Sequence, residues 1–244
     1  MRQSRSLQPR ERIEAGQWMP PWLRHQHEAR YAWAAAECRD ESVLDCASAN
    51  GYGCRMLIDG GAARVWGLDV EIDAVHGAIP RAGVALGVGD ATRLPFADAT
   101  FDRFVSFETV EHVADDAAYV AEARRVVRRG GVFVCSTPNR RLTNAGTSID
   151  HKPFNPFHRR EYTLPELRAL LEKGFERIEW LGQNAFGGAY TGVLNAIGRR
   201  SASLAVRLHQ LRKLAGIAFE RRERHWPRPL PERGETEVLI AVCR

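Results

Sequence analysis

Residues 43–53 read VLDCASANGYG, an apolar run that gives way to small residues. The run predicts a buried strand over Ser42–Ala47, and the small residues predict a turn that leads into a helix over Gly51–Asp59. A turn without bulky side chains lets the backbone approach a ligand closely, and the first turn of a helix carries a partial positive charge. The segment therefore predicts a ligand site at the carboxyl end of the first strand.

The same alternation of apolar runs and helical patterns continues along the chain. Further strands are predicted at Arg64–Val70, Ala85–Gly89, Phe101–Phe107, Gly131–Thr137, Phe175–Leu181 and Val238–Cys243, and helices at Trp22–Cys38, Glu71–Pro80, Asp115–Arg129 and Leu164–Lys173. Alternating strands and helices favour a mostly parallel sheet with helices on both faces. We expect an α/β, Rossmann-like fold with a sheet of seven strands. The chain would then divide into a helical cap (1–41), a core (42–183), a basic helical insertion (184–234) and a last strand (235–244).

Composition agrees with one α/β domain. The chain has 244 residues, of which 44% are hydrophobic and 27% charged. No apolar run approaches the roughly 20 residues that span a membrane, and the basic N-terminus lacks the apolar region of a secretory signal, so we expect a cytoplasmic protein. The five cysteines are odd in number and form no CxxC pair, which argues against a disulfide framework and a zinc ribbon.

The net charge of +5 is concentrated in one segment. Residues 195–233 hold ten basic and three acidic side chains, so the rest of the chain is slightly acidic. Leu204, Leu208, Leu211 and Ala215 recur there at helical spacing, which predicts an amphipathic helix. It could pack on the body with a solvated basic face, or serve as a substrate lid, a contact between copies of the chain or an anionic-surface binder. A nucleic-acid partner ranks lower, because the acidic body offers no continuous phosphate track.

Acidic residues stand at the ends of the first three predicted strands. Asp69 ends the second strand, where a carboxylate can accept hydrogen bonds from two ribose hydroxyls. Asp90 follows the third strand and could accept a hydrogen bond from the amino group of adenine. Asp45 opens the first turn, where dinucleotide-binding proteins usually place glycine, and it would repel a pyrophosphate but suit an ammonium group. A nicotinamide-dependent dehydrogenase would use the same loop, but Asp45 and the absence of a full GxGxxG motif argue against it.

In this order and spacing, the segments VLDCASANGYG, VWGLDV, GDATRLPFADATFDRFVSFETVEHV and RRVVRRGGVFVCSTPN resemble the class I S-adenosylmethionine-dependent methyltransferases. The resemblance implies that the loop Asp45–Gly53 holds the methionine part of the cofactor and Asp69 its ribose. It also implies an antiparallel last strand at Glu237–Cys243. Ala47 and Ala49 depart from the family, in which many members have glycine. The implied cofactor-binding residues are Asp45, Ala47, Ala49, Gly51, Gly53, Asp69, Val70, Asp90, Ala91 and Phe107.

A second candidate site follows the fourth strand, where Glu108, Glu111 and His112 would share one face if a helix begins there. Two carboxylates and an imidazole suit a divalent cation. The alternative is that acidic side chains simply favour a helix N-terminus and that the histidine packs or caps.

The segment HKPFNPFHRREYT at residues 151–163 shifts this balance toward a metal. An ExxEH motif followed by HxxEYT resembles metal-dependent 2′-O-methyltransferases that act on small RNA termini and ubiquinone-biosynthesis O-methyltransferases. That resemblance implies a divalent ion, with Mg²⁺ expected, held by Glu108, Glu111, His112 and His158. His151 competes with His158 for the fourth position, and His158 could instead be a structural loop residue.

These features favour an O-methyltransferase that acts on a hydroxyl of a small molecule or glycoside. A cation would acidify that hydroxyl, and His112 or His158 could act as the catalytic base without one. The segments FNPFHRREYT and His27–Ala34 also resemble bacterial methyltransferases of polysaccharide and natural-product pathways. The alternatives are RNA terminal 2′-O-methylation, N-methylation of an amino sugar, and a non-catalytic cofactor-binding protein. Trp18, Trp22 and Trp33 could cover the cofactor or pack in the core.

Overall fold

The computed structural model describes residues 21–76, 80–216 and 225–244. Its strands are β1 (Ser42–Cys46), β2 (Arg64–Asp69), β3 (Val84–Val88), β4 (Phe101–Phe107), β5 (Val127–Pro138), β6 (Ile178–Phe186), β7 (Arg228–Pro229) and β8 (Glu235–Cys243). Its helices are α1 (Pro21–Ala36), α2 (Tyr52–Asp59), α3 (Ile72–His76), α4 (Asp116–Val126), α5 (Arg140–Thr143), α6 (Leu164–Leu171), α7 (Gly188–Gly198) and α8 (Ala202–Gly216). None of the described helices combines the length and apolar character that crossing a bilayer requires.

Within the described residues, eight strands form one sheet in the order β3-β2-β1-β4-β5-β8-β6-β7. Strands β1 to β5 pair in parallel, and β8 runs antiparallel between β5 and β6. The predicted Rossmann-like α/β fold with an antiparallel last strand is therefore confirmed. The expected number of seven strands was wrong, because the two-residue β7 adds an edge strand beside β6. The strand order reverses between β1 and β4, which places a crevice at their carboxyl ends.

The sheet separates two hydrophobic cores, one on each face. Val43 and Leu44 are adjacent and fully buried, yet they belong to different clusters, because successive side chains of a strand point to opposite faces. Tyr119 of α4 packs on the Leu44 face, and Tyr31 of α1 packs on the Val43 face. Burial on both faces explains why β1 has no polar–apolar alternation in its sequence.

Long-range pairing moves several predicted boundaries. Helix α4 ends at Val126 rather than Arg129, since Val127 is extended and pairs with Phe101 of β4. Gly130 has a positive φ of 78°, but it lies within β5 and does not end the helix. Strand β6 begins three residues later than predicted and continues to Phe186, because it pairs with β8 over its length. Of the helix predicted at Glu71–Pro80, the described residues form α3 over Ile72–His76, and residues 77–79 lie outside the described part.

The leucine stripe of the basic segment is not the buried face of α8. Leu204, Leu208 and Leu211 are 48%, 39% and 62% exposed, whereas Ala205 and His209 are buried. Ala205 packs in a small cluster with residues of α7 and the 142–145 segment, so small side chains select the face that approaches the body. The side chain of Ala215 lies outside those that the structure describes, as does Trp18.

Gly53 allows α1 to pack against α2. A Cβ atom at this position would lie 2.2 Å from two ring carbons of Tyr31, which is buried. We expect Gly53→Ala to lower the free energy of unfolding in urea by about 1–3 kcal/mol, as overpacking does. Gly187→Ala is the matched control, because no atom lies within 4 Å of its Cβ position and its φ is −65°. Equal stability of the two variants would contradict this account of the packing.

Candidate active site

A cavity of about 1200 Å³ opens at the carboxyl ends of β1, β2 and β4. It extends from the loop after β1 to the loop after β5 and to α8. Of the residues predicted from the sequence, Ala47, Ala49, Asp69, Val70, Asp90, Ala91, Phe107, Glu108, Glu111, His112 and His158 line it. Asp45, Gly51 and Gly53 lie behind the lining.

The loop after β1 winds through three left-handed residues, Ala47 (φ 61°), Ala49 (φ 47°) and Gly51 (φ 73°). Alanine adopts this conformation at a cost of about 1–2 kcal/mol, so neighbouring contacts must hold the loop. The Asp69 carboxylate provides one of them by accepting hydrogen bonds from the Ala49 amide at 2.9 Å and the Glu71 amide at 3.0 Å. Asp69 thus joins the end of β2 to the loop and still lines the cavity.

Asp45 faces α1 and α2 rather than the cavity. Its carboxylate accepts hydrogen bonds from the Tyr31 hydroxyl at 3.0 Å and the Cys54 thiol at 3.2 Å. Complete burial raises the pKa of Asp45 to about 7 despite these hydrogen bonds. The sequence predicted a direct cofactor contact here, whereas the structure shows a group that supports the loop from behind.

Asp90 is exposed at the edge of the cavity, and its own turn fixes its orientation. One carboxylate oxygen accepts hydrogen bonds from the Thr92 amide and the Thr92 hydroxyl, both at 2.8 Å. These hydrogen bonds lower the pKa of Asp90, so its negative charge is retained. A fixed carboxylate is available to a hydrogen-bond donor in the cavity.

No helix begins at Glu108: the segment Glu108–His112 is a turn, and α4 begins at Asp116. Glu108 adopts a left-handed φ of 51°, and its amide donates to the Ser136 carbonyl of β5 at 3.0 Å. The turn nevertheless brings together Glu111, His112 and, from the following loop, His158. One potential ligand atom from each lies within 4.8 Å of the others.

Glu108 lies outside this three-residue group. Its Oε1 accepts a hydrogen bond from the Ser136 hydroxyl at 2.8 Å and lies 3.6 Å from Nη1 of Arg30. His151, the competing ligand in the sequence prediction, is exposed and also lies outside the group.

Glu111 is fully buried, and only one of its two carboxylate oxygens accepts a hydrogen bond from a described residue. Oε2 accepts a hydrogen bond from the Thr137 hydroxyl at 2.9 Å, whereas Oε1 has no hydrogen-bond partner among the described residues. Burial and the nearby charge of Glu108 hold the pKa of Glu111 well above its usual range. A buried acceptor without a partner is costly, so this oxygen suits a cation or a ligand donor.

Both histidines have one ring nitrogen held by an acceptor. Nδ1 of His158 lies 2.7 Å from the Glu161 carboxylate, and Nδ1 of His112 lies 3.0 Å from the Phe157 carbonyl. Since a carboxylate or carbonyl oxygen accepts hydrogen bonds and does not donate them, we infer that each Nδ1 carries the hydrogen and each Nε2 has a lone pair. Nε2 of His158 lies 3.0 Å from the Asn155 amide nitrogen, which orients the ring further.

Sequence reasoning missed Arg30, a fully buried arginine of α1. Its Nη1 donates to Gln183 of β6 at 2.8 Å, and the guanidinium lies 5.8 Å from the centre of the Phe107 ring. Nε and Nη2 have no hydrogen-bond partner in the described part of the chain. Only the fold brings this charge to Glu108, so no local sequence signal marks it. Nearby on α1, Trp22 lines the cavity, whereas Trp33 packs against the core.

Three further polar residues were missed at the other end of the lining: His209 and Lys213 of α8 and Glu237 of β8. The basic insertion was visible in the sequence. Nothing in the sequence marked His209 within it as a cavity residue, because the spacing of the leucines favoured their side of the helix as the packed face.

Comparisons with known proteins agree with the fold. Residues 44–135 match the methyltransferase domain family. A protein of Mycolicibacterium smegmatis described as a "probable S-adenosylmethionine-dependent methyltransferase" is 40% identical over 179 residues, which are 72% of this chain and 66% of that protein. The chain belongs to the S-adenosylmethionine-dependent methyltransferase family.

Other members of the family align over different shares of the chain. The ubiquinone biosynthesis O-methyltransferase of Mesorhizobium japonicum is 32% identical over 136 residues, 52% of this chain and 54% of that protein. A solved S-adenosylmethionine-dependent methyltransferase from Mesorhizobium loti superposes with a TM-score of 0.55 at 18% identity, covering 88% of this chain and 96% of the other. The chain spans less than two thirds of the length of the curated relatives that it matches.

The burial of Asp45 predicts a pH-dependent stability. Unfolding returns its pKa from about 7 to 3.8, so between these values the folded protein keeps a proton that the unfolded chain has lost. This group therefore lowers the free energy of unfolding as the pH rises from about 4 to 7. Asp45→Asn cannot ionise and can still accept from Tyr31.

We expect the stability of Asp45→Asn relative to the wild type to increase by about 2 kcal/mol between pH 5 and pH 8, measured by urea unfolding at both values. The comparison at pH 5 is the internal control for lost packing. A difference that does not change with pH would contradict the raised pKa.

Proposed function

We propose that the chain binds S-adenosylmethionine in this cavity and transfers its methyl group to a hydroxyl of a small molecule or glycoside. The observation that carries the proposal is the joint lining of one cavity by the predicted cofactor residues and by the Glu111, His112 and His158 cluster. A volume of about 1200 Å³ accommodates a cofactor and an acceptor together, because single-ligand pockets commonly measure roughly 300–1000 Å³.

The residues along the β1, β2 and β3 ends fit the cofactor. The buried Asp69 carboxylate has acceptor capacity for ribose hydroxyls, and Val70 and Ala91 line the adjacent wall with apolar atoms. The left-handed loop with Ala47 and Ala49 gives a thin backbone wall on the methionine side. Family membership supports the cofactor independently of these contacts.

Methyl transfer to a hydroxyl requires a base next to the acceptor. S-adenosylmethionine supplies a methyl group on a positively charged sulfur, and the attacking hydroxyl must lose its proton. In both histidines the inferred tautomer makes Nε2 the basic nitrogen, and in His158 this atom contacts the Asn155 amide, which the acceptor hydroxyl would have to replace. Glu161 holds the His158 ring and stabilises the charge that the ring gains on accepting a proton. In the absence of a cation, we assign these two histidines the role of orienting the hydroxyl and taking up its proton.

Glu111, His112 and His158 also fit a divalent cation. The unpartnered Oε1 of Glu111 and two imidazoles form a compact donor set, and carboxylate–histidine contacts such as Glu161 to His158 are typical around metal ligands. A bound cation would acidify the acceptor hydroxyl. Two nitrogens and one carboxylate favour Zn²⁺ or Mn²⁺ over the Mg²⁺ expected from the sequence. Glu108 is assigned a supporting place beside Arg30.

The cofactor assignment predicts that Asp69 determines affinity. Asp69→Asn keeps an oxygen for the Ala49 amide but loses the charge and one acceptor, so we expect S-adenosylhomocysteine to bind at least about tenfold more weakly by isothermal titration calorimetry. The control is Asp73→Asn, an exposed change in α3 that should leave affinity unchanged. Unchanged affinity in both variants would remove Asp69 from the cofactor site.

The cation assignment predicts that the protein binds Mn²⁺, read directly by electron paramagnetic resonance. We expect Glu111→Gln to abolish the bound signal and Glu108→Gln to leave most of it, because only Glu111 belongs to the three-residue group. Glu176→Gln, an exposed change, is the control. No binding by the wild type would refute the cation, and equal loss in the Glu108 and Glu111 variants would favour the four-ligand site.

A further inference from the structure

One end of the cavity is built by elements outside the segment that matches the methyltransferase domain family. Helix α8 contributes His209 and Lys213, and β8 contributes Glu237. Along the sheet, β8 pairs with the end of β5, where Thr137 holds Glu111. This polar group therefore belongs to the same cavity as the proposed reaction centre.

The charges of this group cancel. Glu237 is only 5% exposed and accepts hydrogen bonds from the Lys213 ammonium and, at 2.9 Å, from the Asn184 amide. Lys213 also lies over the Trp22 ring, 3.8 Å from its centre. Because Lys213 and Glu237 neutralise each other, this end of the cavity offers no net charge to an ionic ligand.

His209 leaves one polar atom of the group without a partner. The residue is 3% exposed, and its Nδ1 lies 3.0 Å from the Tyr190 hydroxyl. Its Nε2 makes no hydrogen bond to any described residue and lies 3.9 Å from Oε1 of Glu237. Burial lowers the pKa of His209 to about 4, so the ring is neutral near pH 7.

A hydroxyl group fits this gap better than other ligand groups. It donates and accepts at once, so one hydroxyl can pair with Nε2 of His209 and with the Glu237 carboxylate. A ligand carboxylate or ammonium would find no unpaired opposite charge here, because Lys213 and Glu237 already form an ion pair with each other. The surrounding wall includes Trp22 and Val206, which offer apolar surface to the C–H faces of a ring.

We propose that His209 and Glu237 form an acceptor subsite that binds a hydroxyl of an uncharged polyol ring, such as a sugar, at a position other than the one that is methylated. The subsite deepens the proposed function, on which its meaning for catalysis rests. Lys213 acts as a positioning residue, since it holds the Glu237 carboxylate by charge and contacts Trp22.

The test measures polyol binding directly. Saturation-transfer NMR is recorded on the full chain with methyl α-D-glucopyranoside, methyl α-D-mannopyranoside, methyl α-L-rhamnopyranoside and myo-inositol, each with and without S-adenosylhomocysteine. Catechol serves as the flat aromatic comparison. We expect at least one polyol to bind the wild type in the millimolar range and more tightly than catechol.

Variants of α8 separate recognition from folding. His209→Leu should weaken polyol binding at least tenfold and leave S-adenosylhomocysteine affinity within twofold, whereas His209→Gln, which keeps donor and acceptor atoms, should restore part of the binding. Arg207→Leu, an exposed change on the same helix, should bind like the wild type.

Failure of the two proposals gives different results. Binding of S-adenosylhomocysteine without binding of any polyol, or polyol binding that His209→Leu leaves intact, overturns the subsite and spares the proposed function. Absence of S-adenosylhomocysteine binding overturns the proposed function, while His209-dependent polyol binding would still support the subsite. Stronger binding of catechol than of every polyol overturns the assigned ligand class.

Discussion

The hydrogen bond from the Ala49 amide to the Asp69 carboxylate is the contact on which the cofactor side of the site depends. It ties a loop that passes through left-handed alanines to the end of the neighbouring strand, and so keeps a thin backbone wall beside the cavity. The same loop leads into α2, where Gly53 leaves room for the Tyr31 ring. Tyr31 in turn binds Asp45 from behind, so α1, the loop and two strand ends form one packed unit.

The cavity combines residues within the segment that matches the methyltransferase domain family with residues that lie after it. The ends of β1, β2 and β3, which line the proposed cofactor side of the cavity, lie within the segment that matches the methyltransferase domain family. The loop that carries His158 and the helix that carries His209 lie after that segment. The buried polar atoms without a described hydrogen-bond partner include Oε1 of Glu111, which lies within that segment, and Nε2 of His209, which lies after it.

Local signals predicted the fold and the loop and strand ends that line the cavity, and long-range contacts account for what they missed. Buried apolar runs and the small-residue turn are local, so β1, α2 and the place of Asp69 followed from the sequence. The turn at Glu108 did not, because an amide contact with Ser136 on another strand sets its left-handed backbone. The orientation of α8 did not either, since close packing of Ala205 outweighed the leucine spacing. The contact between Arg30 and Glu108 is equally non-local, because it joins α1 to the turn after β4.

A crystal structure with S-adenosylhomocysteine is the most direct test of the central claim that one cavity joins cofactor, proton acceptor and polyol subsite. The account predicts ribose hydroxyls on Asp69, the adenine between Val70 and Asp90, and the sulfur in the part of the cavity that Glu111 and His158 line. Electron density for the ligand outside this cavity, or in the reverse orientation with adenine beside His158, would contradict it.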